Sequence, residues 1–98
     1  MFTAIAQVTL HLPESSSLKD KRQVVRSLLA RLRHQFEVSA AEVARQDTWQ
    51  IAVLGLAYVS GEARHAGEVV QHALRYIEES RPDLAITDVQ VDVLPFGD

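Results

Sequence analysis

The chain has 98 residues, no cysteine, 47% apolar and 23% charged residues, and a formal net charge of −3. This length holds one domain, residues 1–98, with one core, and the lack of cysteine excludes a disulfide framework, a thiolate nucleophile and a Cys-type zinc site. Mild overall acidity argues against a generic nucleic-acid coat, and neither a basic secretory leader nor a transmembrane-length apolar run is visible, so a soluble cytoplasmic protein with no membrane contact is expected.

Residues 2–12 alternate in polarity. Ala4, Ala6, Val8, Leu10 and Leu12 fall on one side, and Gln7, Thr9 and His11 on the other. Period two over ten residues predicts a strand with one buried face, ended by Pro13. The stretch SSSLKDKRQVVRSLLARLRHQF follows. Ser17 with Asp20 three residues on forms a capping pair, in which the serine oxygen accepts an orphan N–H and the carboxylate reaches back. Leu18, Val25, Leu28, Leu29, Leu32 and Phe36 recur at helical spacing and predict a helix packed on a sheet. Six cations (Lys19, Lys21, Arg22, Arg26, Arg31 and Arg33) face one acid, Asp20, so this stretch carries +5 within a net-negative chain.

Residues 37–44 read as a second strand, and RQDTW as its turn into a third strand, residues 49–60. That strand is apolar on both faces: Ile51, Val53, Ala57 and Val59 on one, and Ala52, Leu54, Leu56 and Tyr58 on the other. It therefore belongs in the middle of a sheet. A second helix is predicted over residues 62–80, with Ala66, Val69, Val70, Ala73, Leu74 and Ile77 inward and Pro82 beyond its end. Residues 85–94 form a last strand, alternating Val89, Val91 and Val93 against Asp88, Gln90 and Asp92.

The order β-α-β-β-α-β with right-handed crossovers places two helices on one face of a four-stranded antiparallel sheet. This is an α+β, ferredoxin-like sandwich with strand order 4-1-3-2.

The text HLPESSSLKDKRQVVRSLLARLRHQFEVSAAEV followed by QDTWQIAVLGLAYVS resembles the YlxP-like family of small bacterial proteins of unassigned function. The similarity is carried by His11, Pro13, Ser17, Leu18, Lys19, Lys21, Arg22, Asp47, Trp49, Gln50, Leu54 and Gly55. It implies a ferredoxin-like fold. Members of that family are encoded beside translation-initiation and ribosome-maturation factors, so the resemblance also implies a role near the ribosome or its RNA. It implies no activity, cofactor or catalytic residue.

Of the candidate sites, the basic cluster leads. Ser17, Lys19, Lys21, Arg22 and Arg26 would contact phosphates, with the helix N-terminus and Ser15 to Ser17 adding donors. The alternative is a solvated helix face. Ribosomal RNA or a ribosomal particle fits this cluster better than duplex DNA, because no helix-turn-helix or zinc-finger pattern is present. Trp49 is read first as a cap on the core and second as an interface anchor or stacking platform. The sheet face opposite the helices offers Ile5, Gln7, Thr9 and His11 together with one face of strand three, which parity does not choose. A homodimer through this face is the simplest cover. An acidic protein docked on the basic helix is the alternative partner.

His65, Glu68 and His72 share one flank of helix two but miss the His-Glu-x-x-His spacing, so no metal is expected. No Gly-rich phosphate loop or nucleophile–base pair can be assembled, and neither an enzyme nor a cofactor is expected. A pocket joining His11, Ser15 and Asp47 would change that reading. The segment from Gly61 to Asp98 carries eight acids against three arginines, which makes the molecule dipolar.

Overall fold

The first strand buries every second residue. Within β1 (Phe2–His11), Ala4, Ala6, Val8 and Leu10 are buried, and the residues between them face the other way. A computed structural model describes residues 1–97. Its elements are β1, α1 (Leu18–Phe36), β2 (Ser39–Ala44), β3 (Ile51–Ser60), α2 (Ala63–Ser80) and β4 (Ala85–Pro95). The sheet is antiparallel throughout, with order β2-β3-β1-β4. This is the order expected from the sequence. Strand three is central, in keeping with its two apolar faces.

Both helices cover one face of the sheet. Val25, Leu28, Leu29 and Leu32 of α1, and Ala66, Val70, Ala73, Leu74 and Ile77 of α2, close on the inward residues of β1 and on Ala52, Leu54 and Leu56 of β3. Phe36 meets Tyr76 edge to face at 5.5 Å and joins the helices at one end. At Gly67 a Cβ would lie 3.6 Å from Val93 Cγ2, which is where α2 passes over β4.

The register decides the open face of β3. Thr3, Ile5, Gln7, Thr9 and His11 pair with Val59, Ala57, Gly55, Val53 and Ile51. Directly paired residues point to the same side of a sheet, so this set faces away from the helices. Val43 of β2 lies over Gly55, where any Cβ would sit 2.9 Å from Val43 Cγ1. The glycine is the space into which the valine folds.

Two expectations change. The third strand begins at Ile51, and Trp49 and Gln50 belong to the turn before it. Trp49 is 49% exposed and lies outside the buried core, so it does not cap that core. On β4, Val89 and Val91 pair with buried Val8 and Ala6 yet remain 42% and 37% exposed. An edge strand lies at the margin of the helical layer, and its inward side chains are only partly covered.

Candidate nucleic-acid interface

Helix α1 starts as its sequence predicts. Ser17 is the N-cap in extended conformation, and its Oγ accepts the Asp20 N–H at 3.1 Å. The reciprocal bond is displaced by one residue. Asp20 Oδ2 accepts from the Ser16 hydroxyl at 2.6 Å and from the Ser16 N–H at 3.1 Å. These bonds, the hydroxyl foremost, hold the Asp20 carboxyl below its ordinary pKa. The consequence for function is a correction. The anion that this terminus favours is supplied by its own Asp20, and the Ser17 oxygen is committed to capping. Ser15 is buried and donates to Ser17 O at 3.2 Å, so it too serves the turn.

Lys21 is the second correction. It is 0% exposed. Its ammonium donates to Arg45 O and Thr48 O at 2.6 Å each and to Ile51 O at 2.9 Å, and it pairs with Glu42 Oε2 at 2.8 Å. An ammonium has three protons, and all three are used on carbonyls. Glu42 acts as the counter-ion without a hydrogen of its own, which is why its Oε2 has a charge partner but no aligned donor. Lys21 therefore cannot meet an external phosphate in this fold. It staples the first turn of α1 to the β2–β3 turn.

That turn is fixed from several sides. Arg45 adopts a left-handed φ of 58°, and its carbonyl accepts from Thr48 N–H as well as from Lys21. Gln50 donates from Nε2 to Ser15 O at 3.3 Å and to Pro13 O at 3.4 Å, and its carbonyl accepts the Leu12 N–H at 2.8 Å. Trp49 lies in this turn, between Thr48 and Gln50. Sequence reading missed Arg45 and Glu42. Glu42 had a detectable sign, because it lies two residues from inward Ala40 on a period-two strand.

What remains of the basic cluster is exposed. Lys19, Arg22 and Arg26 follow at helical intervals of three and four, and all three are exposed. Arg31 is also exposed, and among the described residues none of these four forms an ion pair within 4.0 Å. Arg33 is exposed but turned back, donating from Nε and Nη2 to Ala40 O.

The predicted interface residues separate into two places. Ile5 and Gln7 line a shallow trough of about 770 Å³ on the open sheet face, with Ala41, Val43, Ala57 and Asp92. Thr9 and His11 continue that face beyond the trough lining, and Trp49 lies outside it. Ser15 lines a separate cleft of about 310 Å³ with Asp20, Arg81 and Asp83, and neither His11 nor Asp47 reaches it. On α2, Glu68 is paired with Arg64 at 2.9 Å, and the His65 ring packs edge-on against Tyr58 at 5.7 Å.

Solved structures share this architecture. A structural-genomics protein named YJCS superposes with a TM-score of 0.57 at 9% identity, over 92% of this chain and 96% of its own. A dimeric ferredoxin-like protein from an uncultured marine organism gives 0.55 at 8% identity over the whole of both chains. A de novo designed protein with a ferredoxin fold gives 0.50 at 10%, over 96% of this chain and 84% of its own. At such identities the likeness establishes the ferredoxin-like fold alone. In sequence, the chain is 36% identical over 74 residues to the uncharacterized protein YlxP of Bacillus subtilis (strain 168), covering 76% of this chain and 79% of that one. Residues 3–91 match the family described as "Protein of unknown function (DUF503)", and the chain belongs to that family.

Proposed function

We propose that this protein is a non-catalytic binding module that docks on RNA phosphates of a ribosomal particle through the outer stripe of α1. The observation that carries the reading is the exposed set Lys19, Arg22 and Arg26, none of which forms an ion pair among the described residues. The single acid of the helix, Asp20, is held by Ser16. Cations without intramolecular partners are solvated at low cost and release counter-ions from a polyanion on contact. The acidic C-terminal segment leaves α1 as the approach for an anionic partner.

Co-sedimentation with ribosomal subunits across a salt series, with and without nuclease, tests this. Binding weakens steeply with salt and is lost in a Lys19→Glu, Arg22→Glu, Arg26→Glu variant that keeps its circular dichroism. Binding that survives in that variant removes the proposal. A partner retained after nuclease treatment selects the alternative, an acidic protein on the same stripe.

A second reading concerns assembly. The open sheet face suits a second copy of this chain. Its centre is Ile5, Val43 and Ala57 with uncharged Gln7 and Gln90, and its acids, Asp88 and Asp92, stand on the edge strand. A two-fold pairing then opposes no like charges at its centre. Sedimentation equilibrium of the native chain and of Ile5→Glu reads this directly: a dimer that the variant converts to monomer is expected, and a native monomer ends it.

A further inference from the structure

We propose that Trp49 is a stacking platform for an unpaired base, so that the RNA recognised beside α1 is single-stranded or looped. The inference rests on the proposed function and specifies its ligand.

Four observations converge on the β2–β3 turn. Trp49 is the only tryptophan in the chain and is half exposed, outside the core cluster. A half-exposed indole offers a flat π-face and a polar N–H to a ligand. Its ring also has no aromatic partner among the described residues: the aromatic pairs there are Phe36 with Tyr76 and Tyr58 with His65. The backbone on either side of it is immobilised. Thr48 O and Ile51 O both accept from the buried Lys21 ammonium, and Gln50 is tied to the segment from Leu12 to Ser15 through its side chain and its carbonyl. A platform held in advance pays little ordering entropy when a base lands on it.

The fourth observation is charge. Arg45 stands exposed in the same turn, with its Nε 3.4 Å from Thr48 Oγ1. Lys19 and Arg22 lie on the same helical turn as Lys21, whose ammonium reaches into the turn that carries Trp49. The staple thus does more than fill the core. It ties the first turn of α1, which carries Lys19 and Arg22, to the turn that carries Trp49 and the exposed Arg45. A π-face flanked by backbone-tracking cations is the arrangement by which single strands are held without sequence preference. In a duplex the bases are stacked on one another and offer no such face.

The test uses the native chain, a single-stranded oligoribonucleotide of about 12 nucleotides, within the range of known single-strand site sizes, and a blunt RNA duplex with the same number of phosphates. Tryptophan emission reports Trp49 alone, and anisotropy of the labelled RNA gives the affinity. The expected result is quenching by the single strand and tighter binding of it than of the duplex. Trp49→Ala then weakens single-strand binding about tenfold, with duplex binding unchanged, and Trp49→Phe retains most of the affinity. Unquenched emission with full affinity in Trp49→Ala overturns the stacking site and leaves the phosphate-binding reading standing. Duplex binding as tight as single-strand binding does the same. No binding of either RNA at low salt removes both.

Discussion

At the corner where α1 meets the β2–β3 turn, charged and polar groups are taken inside and paired. At the β4 edge, apolar side chains are left only partly covered. Lys21 satisfies three carbonyls and faces Glu42 without any exposure. Val89, Val91 and Leu94 stand exposed on a strand whose neighbours are well packed. The contrast shows that burial in this protein follows position in the layers more closely than residue type. A lysine becomes core because its position lies under the helix and the turn folds over its head. A valine becomes surface because its strand lies at the margin of the helical layer.

The comparison breaks most sharply at Lys21. Lys21→Ala leaves three carbonyls without their donor and Glu42 without its counter-ion. We expect a loss of about 3 kcal/mol in chemical denaturation, at the lower end for a broken buried pair because Glu42 stays partly wetted. Lys21→Met with Glu42→Leu should recover part of that loss, since removing both partners avoids an unpaired charge. An unchanged midpoint for Lys21→Ala would show that the staple contributes nothing.

The cap comes next. Ser17→Ala removes the acceptor for Asp20 N–H and should cost about 1 kcal/mol. Ser16→Ala acts on the same turn through pH. The Asp20 carboxyl is depressed in the folded chain, so its contribution is present above the unfolded value of about 4 and is lost as pH falls through the lower folded value. The gap between native chain and Ser16→Ala should therefore be seen at neutral pH and close below about pH 4. A gap that widens in acid has the wrong sign for this account.

The smallest effect is expected at the edge. Val91→Thr exchanges a methyl for a hydroxyl on a partly exposed strand residue and should shift stability by no more than about 0.5 kcal/mol. A loss as large as that of Lys21→Ala would mean that another surface covers β4 in solution, which would favour self-association over a bare edge.

The sequence by itself determined the architecture. Period-two alternation in β1, helical spacing in α1 and α2, the Ser17 cap and the doubly apolar third strand are local patterns. Each is set by side-chain direction and backbone hydrogen bonding within a few residues. They sufficed for strand order and for the helical layer. The basic cluster was legible as charge and misread as geometry. Lys21 lies three residues after Leu18, four before Val25 and seven before Leu28, which is the spacing of the buried stripe itself. A cation there is either a defect or a staple, and only the carbonyls of Arg45, Thr48 and Ile51, more than twenty residues away, decide which. Trp49 is the same kind of case. Its type suggested core, but the tertiary structure places it on a pinned turn beyond the last paired residue of β3. Tertiary structure alone decided these two residues, because whether a long side chain is buried depends on what the rest of the chain lays over it.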